Sequence, residues 1–300
     1  MMLPEKFIYT IKSVHKEHGE RWLRKFPDLI KECEEQWSIK VLSPYELSYN
    51  FVAPVLHKDG KRMVLKLVVP GNDALHNEVE ALTLFDGDGI AKMIDYDLNK
   101  GLMLLECIEP GVKLSSIKDN KQATMIITKV MKKLWKPAPR NTKLPTIFQR
   151  IDKFSNIRKT YPNGIGPITK EMLMEAEILY AHLGSTINQL SLLHGDLHHY
   201  NVLASGKESW VAIDPKGLIG EKEYDVTQYM LNELPEQNVE ETITERLELF
   251  AKQLHLSKER MVKWCYCHTI LSCYWDIEDF GKASMKSVIV MNIFRKMKNM

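Results

Sequence analysis

Residues 194–201 read His-Gly-Asp-Leu-His-His-Tyr-Asn. On a tight loop, Asp196 can accept the proton of an attacking hydroxyl, and Asn201 can hold a divalent cation through its carbonyl oxygen. Gly195 admits a backbone conformation that a bulkier residue resists. His194 is expected to brace the loop by hydrogen bonds rather than titrate. Further on, Ala-Ile-Asp-Pro-Lys-Gly puts Asp214 at the end of a short apolar strand. A carboxylate there can coordinate Mg2+ that bridges nucleotide phosphates, although a plain turn residue before proline is the other reading. Upstream, Lys66 stands in Met-Val-Leu-Lys-Leu-Val-Val. A lysine in a buried strand is costly without a negative partner; an edge-strand lysine facing solvent is the alternative. Glu78, on the following helix, can orient the ammonium and leave it to bind phosphate oxygens. Glu80 competes for that role. A helix turns about 100° per residue, so the two carboxylates point nearly opposite ways, and Glu78 shares the side of Leu75 and Leu82. Each piece alone arises by chance. Together they supply the parts that phosphoryl transfer to a hydroxyl needs: a held cation, a base and two groups for a divalent metal.

The elements that must position these residues can be read from pattern. Residues 5–37 predict a helix, with Trp22, Leu23, Phe26, Leu29, Ile30, Cys33 and Trp37 at helical spacing and Pro27 breaking the run. From Ile39 to Val69 the texture is β, in three segments, with Asp59-Gly60 at the centre of a hairpin turn. Asp73 to Phe85 predicts a helix closed by Gly87 and Gly89. Residues 90–97 and 101–108 predict two more strands. After Pro110-Gly111 the chain turns mostly helical, with an amphipathic helix over 171–192, two short strands around the Asp196 and Asp214 segments, and helices over 224–300. The expected fold is α+β and two-lobed: a β-rich N-terminal lobe with one main helix over 1–109, and a mostly helical C-terminal lobe over 110–300.

The blocks HGDLHHYNVL and AIDP resemble the aminoglycoside phosphotransferases and their small-molecule kinase relatives. More narrowly, WLRKFPDLIKECEEQW, SYNFVAPV, VLKLVVPGNDALHNEVEAL, LLECIEPG, AIDPKGLIGEKEYDV and CYWDIEDFG resemble the aminoglycoside/hydroxyurea resistance kinase branch, which includes streptomycin 6-kinases. That likeness implies a protein-kinase-like fold and ATP with Mg2+ as cofactors, GTP being the other possible nucleotide. It implies Lys66 on the α/β-phosphates with Glu78 as its partner, and Asp196 as catalytic base. Asn201 and Asp214 then hold Mg2+. The backbone of Glu106 to Ile108 meets adenine, Ser48, Tyr49 and Asn50 cover the phosphates, and Asp225 braces the catalytic loop. The chain departs from the protein-kinase pattern in two places. Tyr-Asn-Phe replaces the glycines of the phosphate-covering loop, and Asp214 sits in Asp-Pro-Lys-Gly rather than Asp-Phe-Gly.

A streptomycin-type acceptor is polycationic and calls for carboxylates. The candidates are Asp276, Glu278 and Asp279, with Glu221 and Glu223 as further ones. Trp275 can stack on a sugar or guanidino group, and His198 or His199 can line the acceptor side of the loop. Carboxylates on a solvated helix face are the plainer alternative. Hydroxyurea or another small hydroxylated metabolite is the alternative acceptor. A nucleotide-binding pseudokinase is the alternative of another class, disfavoured by the intact set of polar residues.

Composition limits the rest. A net charge of +2 gives no general polyanion signature. The basic run over 121–160 lacks the interleaved aromatics of a nucleic-acid surface, so no nucleic-acid partner is expected. The five cysteines are odd in number and without framework spacing, which predicts reduced thiols in a cytoplasmic protein. Cys265, Cys267 and Cys273 lack a second half-site for zinc. The first twenty residues lack an apolar leader, and no stretch is apolar enough to span a bilayer. The apolar-then-basic tail is expected to be a core-facing helix. Oligomeric state leaves no trace in the sequence.

Overall fold

A long amphipathic stretch opens the chain as α1 (Glu5–Trp37), but its break falls at Lys16 (φ 49°, ψ −129°) and not at Pro27, which stays inside the helix. Packing explains the difference. Trp22 and Phe26 are buried around the proline, and Phe26 meets Phe51 with ring centroids 4.9 Å apart, so burial holds the turn that the missing N–H weakens. The computed structural model describes residues 2–71 and 73–299. The chain divides into two units, Met1–Gly111 and Val112–Met300.

In the first unit, β1 (Ile39–Val41), β2 (Phe51–His57), β3 (Arg62–Leu67), α2 (Asp73–Phe85), β4 (Met93–Asp97) and β5 (Leu102–Glu106) follow α1. The strands form one antiparallel sheet in the order β1-β2-β3-β5-β4. Side chains alternate across a strand. Met63, Leu65 and Leu67 of β3 join Phe7, Ile11, Trp22 and Phe26 of α1 in one core, which leaves Val64 and Lys66 on the opposite face. The second helix, α2, buries Leu75, Val79, Leu82 and Phe85.

The strand β6 (Pro110–Lys113) runs across the division. The second unit continues with α3 (Asn120–Leu134), β7 (Lys136–Pro137), α4 (Ile151–Thr160), β8 (Gly164–Ile165), β9 (Ile168–Thr169), α5 (Lys170–Ser185) and β10 (Ser191–Leu193). It ends with β11 (Val202–Ser205), β12 (Trp210–Ala212), β13 (Leu218–Gly220), α6 (Lys222–Asp225), α7 (Thr227–Leu231), α8 (Val239–Leu254), α9 (Lys258–Phe280) and α10 (Met285–Met297). The hub is α9, which is buried from Met261 to Leu271 apart from Lys263. Packed on α9 are α5, α8 and α10.

The helix expected over 171–192 stops at Ser185, because Ser191–Leu193 are taken up by pairing between β13 and β7. The C-terminal tail is α10, with Val290, Met291 and Phe294 buried. Among the described residues no helix is long and apolar enough to cross a membrane. All five cysteines are free thiols, and burial pushes Cys265, Cys267 and Cys273 well above the ordinary thiol range, which makes them poor nucleophiles.

Candidate active site

The first unit carries one half of the expected constellation. Lys66 is 4% exposed and Glu78 8%, and the ammonium lies 2.6 and 2.7 Å from the two carboxylate oxygens. The sheet face opposite α1 and the inward face of α2 make that pairing. Glu106 ends β5 with its N–H donated to the Lys92 carbonyl at 2.8 Å, and its side chain accepts the Lys92 N–H at 3.1 Å. Its N–H and its carboxylate are thus both paired with Lys92. Ser48 and Tyr49 are exposed and Asn50 half-buried in an irregular stretch before β2.

The second unit carries the other half on two segments tied to each other. Asp225 accepts three N–H groups: Gly195 at 2.8 Å on Oδ1, and His194 at 3.3 Å and the Trp135 indole at 2.9 Å on Oδ2. Gly195 itself has φ +80°, and a Cβ there would lie 3.2 Å from Leu218 Cβ, so both conformation and space call for glycine. His194 is fully buried. Its Nε2 donates to the Ile213 carbonyl at 2.9 Å and its Nδ1 accepts the Asp196 N–H at 3.2 Å. Burial lowers its pKa, against the pull of Asp225 and Asp196. Both ring nitrogens are thus occupied by a neutral imidazole that braces the loop.

Asn201 donates its amide N–H to the Asp196 carbonyl at 3.0 Å and lies 3.3 Å from His198 Nε2. Its backbone carbonyl accepts the Ile213 N–H at 3.0 Å, which ties the loop to the residue before Asp214. Asp214 is exposed and sits in the left-handed region at φ 61°, a conformation that costs a non-glycine residue roughly 1–2 kcal/mol. These donors suit a hard cation. The Asn201 amide nitrogen is engaged, so its oxygen is the group that can serve as a ligand, and Asp214 adds a carboxylate oxygen.

Asp196 is largely covered, and its two oxygens differ. Oδ2 is 2.9 Å from the Lys216 ammonium, and Oδ1 is 3.9 Å from His198 Nε2. His198 accepts the Tyr200 N–H on Nδ1, and burial lowers its pKa, so it belongs to the scaffold of the loop. His199 stacks on Tyr229 with ring centroids 4.1 Å apart.

Most of the expected acceptor carboxylates hydrogen-bond within the chain. Asp276 accepts from Ser284 N–H at 3.2 Å and Ser287 Oγ at 2.8 Å, which secures the turn into α10. Glu278 accepts from the Tyr274 hydroxyl, and Asp279 is exposed at the end of α9. Glu221 is buried against Arg260 and the Trp264 indole, and Glu223 accepts the Ser257 N–H. Trp275 lies edge-on to His268 at 5.9 Å, with the Lys153 ammonium 5.3 Å from its ring centre. His268 in turn bonds the Tyr224 hydroxyl at 2.8 Å, and its pKa falls to about 3, chiefly by burial and then under the fields of Arg150 and Lys216. Sequence reasoning missed Lys216 and Trp135. The first was signalled by its place two residues after Asp214; the second had no local signal.

A family model described as aminoglycoside/hydroxyurea antibiotic resistance kinase matches residues 41–280. The streptomycin 6-kinase of Streptomyces glaucescens is 27% identical over 312 aligned positions, covering 96% of this chain and 94% of that protein. The hydroxyurea phosphotransferase of Kitasatospora aureofaciens is 26% identical over 269, covering 87% of this chain and 76% of that one. Among solved structures, aminoglycoside phosphotransferase APH(4)-Ia, crystallised with ADP and hygromycin B, superposes with a TM-score of 0.64 at 13% identity, over 89% of this chain and 98% of that one.

Proposed function

This chain belongs to the aminoglycoside/hydroxyurea antibiotic resistance kinase family, and from that premise we propose that it transfers the γ-phosphoryl group of ATP, with Mg2+, to a hydroxyl of a streptomycin-type aminoglycoside. The coarser activity, phosphotransfer to a hydroxyl, is that of its curated relatives. The observation that carries the reading is the locked loop: Asp225 and His194 fix the backbone on either side of Gly195, and Asp196 keeps one oxygen, Oδ1, without a hydrogen bond among the described residues.

In this reading Lys66, oriented by Glu78, binds α/β-phosphate oxygens as a fixed cation. Ser48 and Asn50 face the phosphates, and the Glu106 carbonyl and Ile108 N–H meet the base edge. Asp196 orients the acceptor hydroxyl and takes its proton. Asn201 and Asp214 hold Mg2+, which when bound neutralises phosphate charge. The chain contributes position and charge rather than a covalent intermediate. Trp275 is the candidate to stack on the acceptor, with Asp276, Glu278 and Asp279 as the candidate carboxylates and His198 on the loop side. The streptomycin assignment draws support from two streptomycin 6-kinases, 27% and 26% identical over 96% and 88% of this chain. Hydroxyurea is the second reading, favoured by the hydroxyurea phosphotransferase relative.

The test is ADP release from purified protein with Mg-ATP and, in turn, streptomycin, other aminoglycosides and hydroxyurea, with Asp196→Asn as the blank and mass spectrometry of the product. A phosphorylated streptomycin upholds the proposal. A phosphorylated hydroxyurea alone replaces the acceptor, and no product with any of them removes it.

A further inference from the structure

The Asp-Pro-Lys-Gly turn is built in a way that metal binding by Asp214 does not explain. The N–H groups of Lys216 and Gly217 both donate to the His194 carbonyl, at 3.0 and 3.1 Å. Asp214 and Gly217 both adopt left-handed backbone, at φ 61° and 64°. The turn is thus pinned to the residue that opens the Asp196 loop, and its one cationic side chain is delivered to Asp196 Oδ2 at 2.9 Å. The Lys216 side chain is 62% exposed, against 16% for Asp196. An ion pair with one partner so exposed adds little to stability, so stability alone does not account for a turn held against strain.

The geometry points to Lys216 as a catalytic residue of the phosphoryl transfer, an inference that rests on the reading of Asp196 as the base. The pairing makes the two oxygens of Asp196 unequal. Oδ2 is held by the ammonium. Oδ1 accepts no hydrogen bond among the described residues, with His198 Nε2 3.9 Å away, and is the oxygen left to take the acceptor proton. In the step, the bond from the acceptor oxygen to phosphorus forms while the bond from phosphorus to the β,γ-bridging oxygen breaks. That electron pair leaves on ADP, and the hydroxyl proton passes to Oδ1. Negative charge spreads over the oxygens of the moving phosphoryl group. Lys216 carries a compact, mobile charge on a long stem, and most of its side chain is open to solvent on the Asp196 side of the turn. It holds Oδ2 before the step and meets the phosphoryl oxygens during it, a stabilisation realised in the transition state rather than in the ground state.

The experiment compares wild type, Lys216→Met, Lys216→Arg and Asp196→Asn in steady-state turnover of the best acceptor. Calorimetry then follows Mg-ADP binding with and without aluminium fluoride, a mimic of the moving phosphoryl group that needs no acceptor. Lys216→Met should lose about 30-fold or more in kcat with both KM values within about threefold of wild type, the pattern of a lost transition-state contact. It should bind Mg-ADP normally and gain at least about tenfold less affinity than wild type on adding aluminium fluoride. Lys216→Arg should recover most of the lost turnover. If Lys216→Met keeps wild-type kcat and fluoride response while Asp196→Asn is inactive, Lys216 is only a surface cation and the base assignment stands. A raised KM for ATP at unchanged kcat would overturn the inference in favour of ground-state nucleotide binding. A wild-type protein that neither turns over nor binds Mg-ADP would remove the base assignment and this inference together.

Discussion

Asp225 Oδ1 accepts the Gly195 N–H at 2.8 Å, so a carboxylate thirty residues downstream fixes the peptide that precedes Asp196. The same carboxylate also takes the His194 N–H and the Trp135 indole. In Asp225→Asn one oxygen becomes an amide nitrogen and faces a donor. Leaving a buried donor unsatisfied costs about 1–3 kcal/mol. The variant should lose stability by that amount in urea unfolding and lose turnover as the loop loosens. Unchanged values for both would show that the brace is dispensable.

Asp196→Asn keeps the size of the side chain and removes the carboxylate proposed to take the acceptor proton. Turnover should fall by about 10²–10⁴-fold, with Mg-ADP binding retained in calorimetry. Asp214→Ala should instead lose Mg2+-dependent nucleotide binding, and turnover with it. Ordinary metal titration in that variant would take Asp214 out of the metal site.

The Lys66–Glu78 pair permits a test that separates fold from function. Lys66→Met removes the ammonium from a buried carboxylate, and breaking such a pair costs about 3–5 kcal/mol. The double variant Lys66→Met, Glu78→Met removes the orphaned charge as well, so much of that stability should return. Nucleotide binding should be lost in both. A double variant that regains Mg-ADP affinity would show that the pair serves packing alone.

Much of this site is legible in the chain, because local rules and tertiary packing agree there. Lys66 stands in an alternating strand, and Glu78 shares the Leu75–Leu82 side of a helix that spans Asp73–Phe85 as its spacing predicts. Asp59-Gly60 turns β2 into β3 as its residue types require. Where packing decides, the pattern misleads. Pro27 reads as a break, yet the helix breaks at Lys16. Ile187 and Leu190 extend the apparent helical period of α5, yet the chain leaves the helix at Ser185 to reach β10. Strands of two or three residues such as β7 and β13 have no period to read. Asp276 shows what pattern leaves out: the sequence marks its acidic neighbourhood, and only the fold reveals that its carboxylate also accepts from Ser284 and Ser287.

His268 gives the protein a pH dependence with a definite sign. Its pKa falls from the ordinary 6.5 to about 3, chiefly by burial. Between those values the unfolded chain binds a proton there that the folded chain refuses. Stability is therefore full above the unfolded pKa and declines as pH drops, by about 1.4 kcal/mol per pH unit for this group. His268→Gln should flatten that slope in urea unfolding at pH 6.5, 5.5 and 4.5. An identical slope would place the titration elsewhere.

Gly19 lies in α1 shortly after the break at Lys16. In an unbroken helix, residues 11 and 19 would stand about 12 Å apart along the axis. Instead, a Cβ at Gly19 would lie 2.4 Å from the Ile11 carbonyl oxygen and 3.0 Å from Ile11 Cγ2. The break folds the first segment back until its backbone rests on Gly19. Helix propensity alone would have Gly19→Ala stabilise by about 0.8–1.0 kcal/mol. The contact opposes this. The nearest atom is backbone, which cannot rotate away, and overpacking costs typically about 1–3 kcal/mol. Gly19→Ala should therefore lower the urea midpoint, and a larger side chain should lower it further. A raised midpoint in the alanine variant would mean that the two segments of α1 do not cross at Gly19.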